Sequence, residues 1–168
     1  MMNFKKHLED NKFSLIQLEP SHFDALYSVA SDPKVWEQHP QKDRWKRDVF
    51  ENLFEDALAN ELGCFAIKDK EQNKLVGWTR FYAHDASEPS IKIGYTFIAP
   101  HYWGSATNAQ VKKLLLDYTF NYMNTVYFDV GKHNLRSRKA VEKLGATLFQ
   151  DAVEGNVTYV LLKANYTL

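Results

Sequence analysis

Ten residues that alternate like a strand, "SIKIGYTFIA" (90–99), pass through a short Pro- and Gly-containing turn into "VKKLLLDYTFNYM" (111–123), which is spaced like a long helix. That switch of hydrophobic period, from two to about 3.6, admits few folds. A strand followed by a helix that packs back on the same sheet crosses over to a parallel neighbour, and "TVYFDV" (125–130) is that neighbour. The turn between them, "PHYWGSATNAQ" (100–110), sets Gly104 and small residues at a helix start. The first amides of a helix lack intrahelical acceptors and sit at the positive end of its dipole, which suits a phosphate. Gly104 lets the backbone approach an anion closely, and Ala106 is too small to block it. An ordinary strand-to-helix turn has the same spacing, and one glycine does not decide between the two.

The rest of the chain alternates in the same way. "FSLIQL" (13–18) reads as a strand, and "PSHFDALYSVAS" after it as a helix capped by Ser21. In "RWKRDVFENLFEDALAN" the residues Trp45, Val49, Leu53 and Ala57 recur every fourth position beside Phe50, Phe54 and Leu58, an amphipathic helix. "GCFAIKD" and "KLVGWTRFYAH" flank the polar turn "KEQN" as a hairpin. A helix from Leu135 to Leu144 has Asn134 as its cap and Gly145 beyond its end. "ATLFQDAV" and "NVTYVLLKA" close the chain as a second hairpin. The order β-α-α-β-β-β-α-β-α-β-β predicts a mixed α/β or α+β fold, a mostly antiparallel sheet with one parallel crossing. No repeat, linker or low-complexity tract divides the sequence, so 1–168 is expected to be one domain.

Lys+Arg and Asp+Glu both number 21, which argues against a nucleic-acid binder needing a dominant basic surface. The opening "MMNFKKHLEDNK" has no apolar run, so neither a signal peptide nor a membrane span is expected there, and the expected location is cytoplasmic. The six histidines lack metal-ligand spacing and the lone Cys64 lies in an apolar run, so no metal and no internal disulfide are expected. There is no GxxxxGK[ST] and no GxGxxG after the first strand.

"IGYTFIAPHYWGSATNAQVKKLLLDYTF" followed by "GKHNLRSRKAVEKLGATLFQ" resembles the two signature segments of the GNAT superfamily of acyl-CoA N-acyltransferases, and most of all the branch of ribosomal-protein N-terminal acetyltransferases. The family's Gln/Arg-x-x-Gly-x-Gly/Ala loop stands here as His101, Tyr102, Trp103, Gly104, Ser105, Ala106. The Asn-x-x-Ser and Lys-Leu-Gly of that branch stand as Asn134, Ser137 and Lys143 to Gly145.

The resemblance implies a GNAT-like sheet, splayed at the cofactor site, and acetyl-CoA as cosubstrate. It places the pyrophosphate on the amides of Trp103, Gly104, Ser105, Ala106 and Thr107, with His101 in place of the usual Gln or Arg. The pantetheine arm would meet the backbone of Phe97 and Ile98. Asn134 would orient it and Ser137 would protonate the leaving thiolate, while the same two residues also serve as helix cap and first turn. Many relatives carry a glutamate base where this chain has Lys92. By strand alternation Lys92 shares a face with Gly94 and Thr96, opposite Ile91, Ile93, Tyr95 and Phe97, either lining the cleft or standing at its rim.

"VWEQHPQ" (35–41) lies between the first two helices, where the resembled family places acceptor-binding residues. Glu37 and His39 are candidate replacement bases, and Trp36, His39 and Lys92 candidate acceptor contacts; a polar turn with Trp36 as a core plug is the other reading. The expected acceptor is a small-molecule or peptide amine. A non-catalytic acyl-CoA-binding domain that has lost its base is the alternative. Tyr159 and Tyr166 in the last hairpin either cover the domain's own core or pair with a second copy, so monomer and homodimer both stand.

Overall fold

The computed structural model describes residues 1–167. Its elements are β1 (Leu8–Glu9), β2 (Phe13–Gln17), α1 (Phe23–Ala30), α2 (Arg47–Ala59), β3 (Cys64–Asp69), β4 (Lys74–Asp85), β5 (Ser90–Ile98), α3 (Thr107–Thr119), β6 (Thr125–Gly131), α4 (Leu135–Lys143), β7 (Thr147–Gln150) and β8 (Asn156–Leu162). The strands form one sheet in the order β1-β2-β3-β4-β5-β6-β8-β7. Every neighbouring pair is antiparallel except β5 and β6, which α3 joins in parallel. This is the mixed, mostly antiparallel architecture expected from the alternation, with the two-residue β1 added at its edge.

Helices cover both faces. On one, Leu26 and Ala30 of α1 and Phe50, Phe54 and Ala57 of α2 bury Ala66, Trp78 and Phe97. On the other, Val111, Leu115 and Leu116 of α3 and Val141 of α4 bury Phe65, Phe81, Ile93 and Phe128. α2 is shorter than its periodicity predicts, because Lys46 in extended backbone starts it; Trp45 and Leu58 are exposed. Ser21 does not cap α1. The chain enters through a single 3-10 turn, Pro20–His22, where Glu19 and His22 satisfy one another's backbone N–H groups. Asn134 caps α4 as expected, its Oδ1 accepting the Ser137 N–H at 3.1 Å, and Gly145 follows at φ 98°. Tyr159 is buried, and Tyr166 packs on Phe120 and donates to Asp117, so both cover this chain's own core.

Candidate active site

The parallel pair that the crossover creates is short. Ser90, Ile91 and Lys92 stand opposite Thr125, Val126 and Tyr127, and beyond them β5 and β6 part. The remaining halves, Ile93–Ile98 and Phe128–Gly131, face each other across a cleft with no register between them. Backbone N–H and C=O groups along such edges lack ladder partners and await an extended ligand. Phe97 and Ile98 stand on this edge with their side chains buried on opposite faces.

The anion loop lies at the open end of the cleft. Gly104 adopts φ 73°, and a Cβ built there meets nothing within 4 Å. Two of the five expected amides are engaged inside the loop, since Trp103 N–H donates to Pro100 O at 3.0 Å and Thr107 N–H to Ser105 Oγ at 3.3 Å. Among the described residues the amides without an acceptor are those of Gly104, Ser105, Ala106, Asn108 and Ala109, so the open set keeps the middle three expected residues and reaches two residues further into α3. Trp103 anchors the loop by donating its indole N–H to Ile98 O at 2.9 Å. The Arg136 guanidinium of α4 stacks 3.7 Å over the Trp103 ring and spans the mouth. Asn134 and Ser137 begin the same helix, and the Ser137 hydroxyl has no partner among the described residues. His101 turns elsewhere, into a groove of about 690 Å³ between α1 and the start of β4, with His22, Lys68 and Lys74.

The cleft begins at a β-bulge. Trp78 pairs with Phe97 and Arg80 with Gly94, so β5 carries one residue more than β4 between them. Tyr95 takes the strain at φ 51°, and the Trp78 indole donates to its carbonyl at 2.7 Å. The bulge also corrects the expected alternation. Tyr95 and Phe97 lie on the Lys92 face with Arg80, Tyr82 and Trp78, whereas Thr96 turns to α3 and meets Thr79 and Lys112. Lys112 donates to Thr96 Oγ1 at 2.6 Å, and burial lowers its ammonium to about 7.

Lys92 is neither a bare rim charge nor an open cation in the cleft. Its Nζ lies 2.7 Å from Asp129 Oδ2, and Tyr82 and Thr158 donate to the same carboxylate at 3.0 and 2.8 Å. Burial works to raise the Asp129 carboxyl, but these three donors overcome it and hold it below the usual carboxylate range. A carboxylate so engaged is a weak proton acceptor.

Of the residues between α1 and α2, Trp36 is packing, as its indole donates to Ala30 O at 2.8 Å and its ring lies against Phe97. Glu37 is exposed beside Arg136. His39 is half-buried and held neutral: burial first, then the Arg44 charge, depresses it to about 4. Gln41 N–H points at its Nδ1 at 2.9 Å, so the network puts the ring proton on Nε2. Nδ1 is thereby committed as an acceptor, and with its proton on Nε2 the ring is a donor rather than the candidate base read from sequence. Cys64 is buried and its thiol is pushed up to about 12, which leaves no nucleophile there.

Arg44, Arg80, Tyr82, Tyr95, Lys112 and Asp129 were missed from sequence. Two of them were signalled: Arg80 interrupts an apolar strand, and Lys112 lies on the 112-115-116-119 stripe that α3 buries.

A sheet parted beside a bulge, with open amides at one end, is the architecture of an acyl-CoA transferase. The acetyltransferase (GNAT) domain family model matches residues 12–147, and the chain belongs to that family, whose members transfer an acyl group from acyl-CoA to an amine. Solved structures share the fold. A GCN5-related N-acetyltransferase from Brucella melitensis superposes with a TM-score of 0.81 at 20% identity, covering 96% of this chain and 80% of that one. A GNAT-family acetyltransferase from Bacillus anthracis gives 0.76 at 17%, covering 95% and 99%. Spermidine N-acetyltransferase from Vibrio cholerae, in complex with CoA and spermine, gives 0.70 at 16%, covering 94% and 99%. No curated protein sequence matches the chain.

Proposed function

We propose that the protein acetylates a primary amine by direct attack on acetyl-CoA in a ternary complex, with a peptide or protein N-terminus among the candidate acceptors. The observation that carries this reading is the meeting of the unpaired β5 and β6 edges with the open amides of Gly104 to Ala109. Fit is tested at Gly104, where the backbone offers donors and nothing occupies the space a side chain would take. The amides would hold the pyrophosphate, the β5 edge the pantetheine, and Asn134 the arm's far side. Bound there, acetyl-CoA supplies an activated acetyl thioester. Ser137, with its hydroxyl uncommitted, is the proton donor to the departing thiolate, whose ordinary pKa of about 8.5 asks for little help. An α-amine, with a pKa near 8, reaches its neutral form at pH 7 far more readily than a lysine amine near 10.4, so no strong base is required. The protein's work is to align the amine with the thioester.

Calorimetric titration with acetyl-CoA tests the reading, and micromolar binding is expected. Gly104→Glu should weaken it by at least about tenfold through bulk and charge, whereas Gly104→Ala, strained but compact, should weaken it less. Unchanged affinity in Gly104→Glu refutes the loop's role. A non-catalytic acyl-CoA sensor is the second reading, favoured by the locked Lys92–Asp129 pair where a base was expected. Thioester release with a panel of amines separates the two, since a sensor binds the cofactor and consumes none.

A further inference from the structure

Two buried guanidinium groups, Arg44 in the α1–α2 connection and Arg80 on β4, form no ion pair with a carboxylate among the described residues. Arg44 is 8% exposed and Arg80 6%, and neither forms a salt bridge among the described residues. A buried cation left without a counter-charge is expensive, and such a pair is kept only where something compensates it. Arg80 stacks 3.6 Å over the Tyr95 ring and reaches only the Asp56 backbone carbonyl, at 3.5 Å. Its Nε–H is buried with no acceptor.

Arg44 is close enough to Arg80 to feel its charge, and the Asp43 carboxylate next to it in sequence acts on it from a distance without forming a salt bridge. It gives Nε–H and one Nη2–H to Gln41 Oε1, at 2.9 and 2.6 Å. Its Nη1 points instead at His39 Nε2, 3.3 Å away. That contact lacks an acceptor, because Gln41 N–H already holds the His39 Nδ1 lone pair and the ring proton is on Nε2. Two N–H donors therefore converge on one point, and an oxyanion between them would accept from both.

The position matters as much as the charge. Tyr95 is the bulge residue beside the cleft, 43% exposed, with Arg80 on its face, the Tyr82 ring on its edge at 5.1 Å and Arg44 within electrostatic reach. α3 and α4 close the other face of the sheet. Tyr95 is thus the exposed group that stands between the start of the cleft and this pair of buried cations.

Resting on the acetyltransferase reading, we infer that the acceptor carries a carboxylate as well as its amine, and that Arg44 Nη1–H and His39 Nε2–H bind it, with Arg80 behind them. An amino acid or an acidic peptide has this chemistry. A polyamine does not.

Two measurements on the full chain test the inference. The first is titration of the acetyl-CoA-loaded protein with glutarate, an amine-free dicarboxylate, and with inorganic phosphate. Saturable glutarate binding is expected, weakened by about 30-fold or more in Arg44→Gln and less in Arg44→Lys, with acetyl-CoA affinity unchanged in both. Tighter binding of phosphate would reassign the group from carboxylate to phosphate and overturn the proposal as stated. No binding of either anion up to about 10 mM overturns it outright. The second is thioester release with amino acids against their amides and decarboxylated amines, where kcat/KM should fall by about 30-fold or more without the carboxylate. Equal or better turnover of neutral and cationic amines sinks the inference and leaves the acetyltransferase standing. Absence of acetyl-CoA binding sinks the acetyltransferase itself.

Discussion

Asp129 draws three donors from three different strands, Tyr82 of β4, Lys92 of β5 and Thr158 of β8. It therefore ties the sheet together across the crotch where β5 and β6 part. Lys92→Glu would set a second carboxylate against it, so this substitution should cost more stability than Lys92→Met, each measured by urea unfolding. The expected penalties are roughly 1–3 kcal/mol for Met and larger for Glu. A Lys92→Glu protein that keeps its stability and gains turnover would show that the lysine serves the amine instead. The sequence revealed Lys92 but not its partner, because Asp129 lies 37 positions away and no local pattern links residues on strands that meet only in the fold. His39 illustrates the same limit. Its residue type suggested a base, and only the direction of the Gln41 N–H shows it to be a donor.

At the scale of elements, the cleft depends on the bulge, and the bulge on its neighbours in β4. Gly77 lies where a Cβ would stand 1.9 Å from Phe97 O, so β4 and β5 approach too closely there for any side chain. Gly77→Ala should force the strands apart and cost on the order of 3 kcal/mol or more, read from the thermal midpoint. Trp78→Phe keeps the ring's packing but leaves the Tyr95 carbonyl without its donor, at about 1–3 kcal/mol. It should also lower kcat more than it raises KM for acetyl-CoA, since the bulge shapes the reacting end of the cleft. An unchanged kcat in a well-folded Trp78→Phe protein would detach the bulge from the chemistry. The strand and helix order was legible because hydrophobic period reports it directly. The bulge was not, since one inserted residue reverses the facing of Tyr95, Thr96 and Phe97 while leaving the composition of β5 unchanged.

For the whole molecule, the buried titratable groups tilt stability toward alkaline pH. Lys112 is 4% exposed, and its ammonium is lowered from 10.5 to about 7 by burial. Between those values the unfolded chain holds a proton that the folded chain has lost, so stability rises with pH across that window. His39, lowered from 6.5 to about 4, acts in the same sense at lower pH. The depressed carboxylates of Asp69 and Asp129 add to the loss as pH falls through their folded values. Above pH 10 the direction reverses, because burial and carboxylate neighbours raise Tyr82, Tyr102 and Tyr166, and the unfolded chain then releases protons that the folded one retains. The stability maximum is therefore expected between about pH 8 and 10 rather than near neutrality. Each unit of the Lys112 depression corresponds to about 1.4 kcal/mol, so urea unfolding should show a gain of roughly 2–4 kcal/mol from pH 7 to 9.5. Lys112→Met removes the group without emptying its space and leaves Thr96 bonded to Thr79. That variant should be more stable than the parent at pH 7 and lose most of the rise. A parent curve that is flat from pH 7 to 9.5 would mean that Lys112 keeps its charge solvated, and the packing of α3 onto β5 would then be looser than the contact with Thr96 requires.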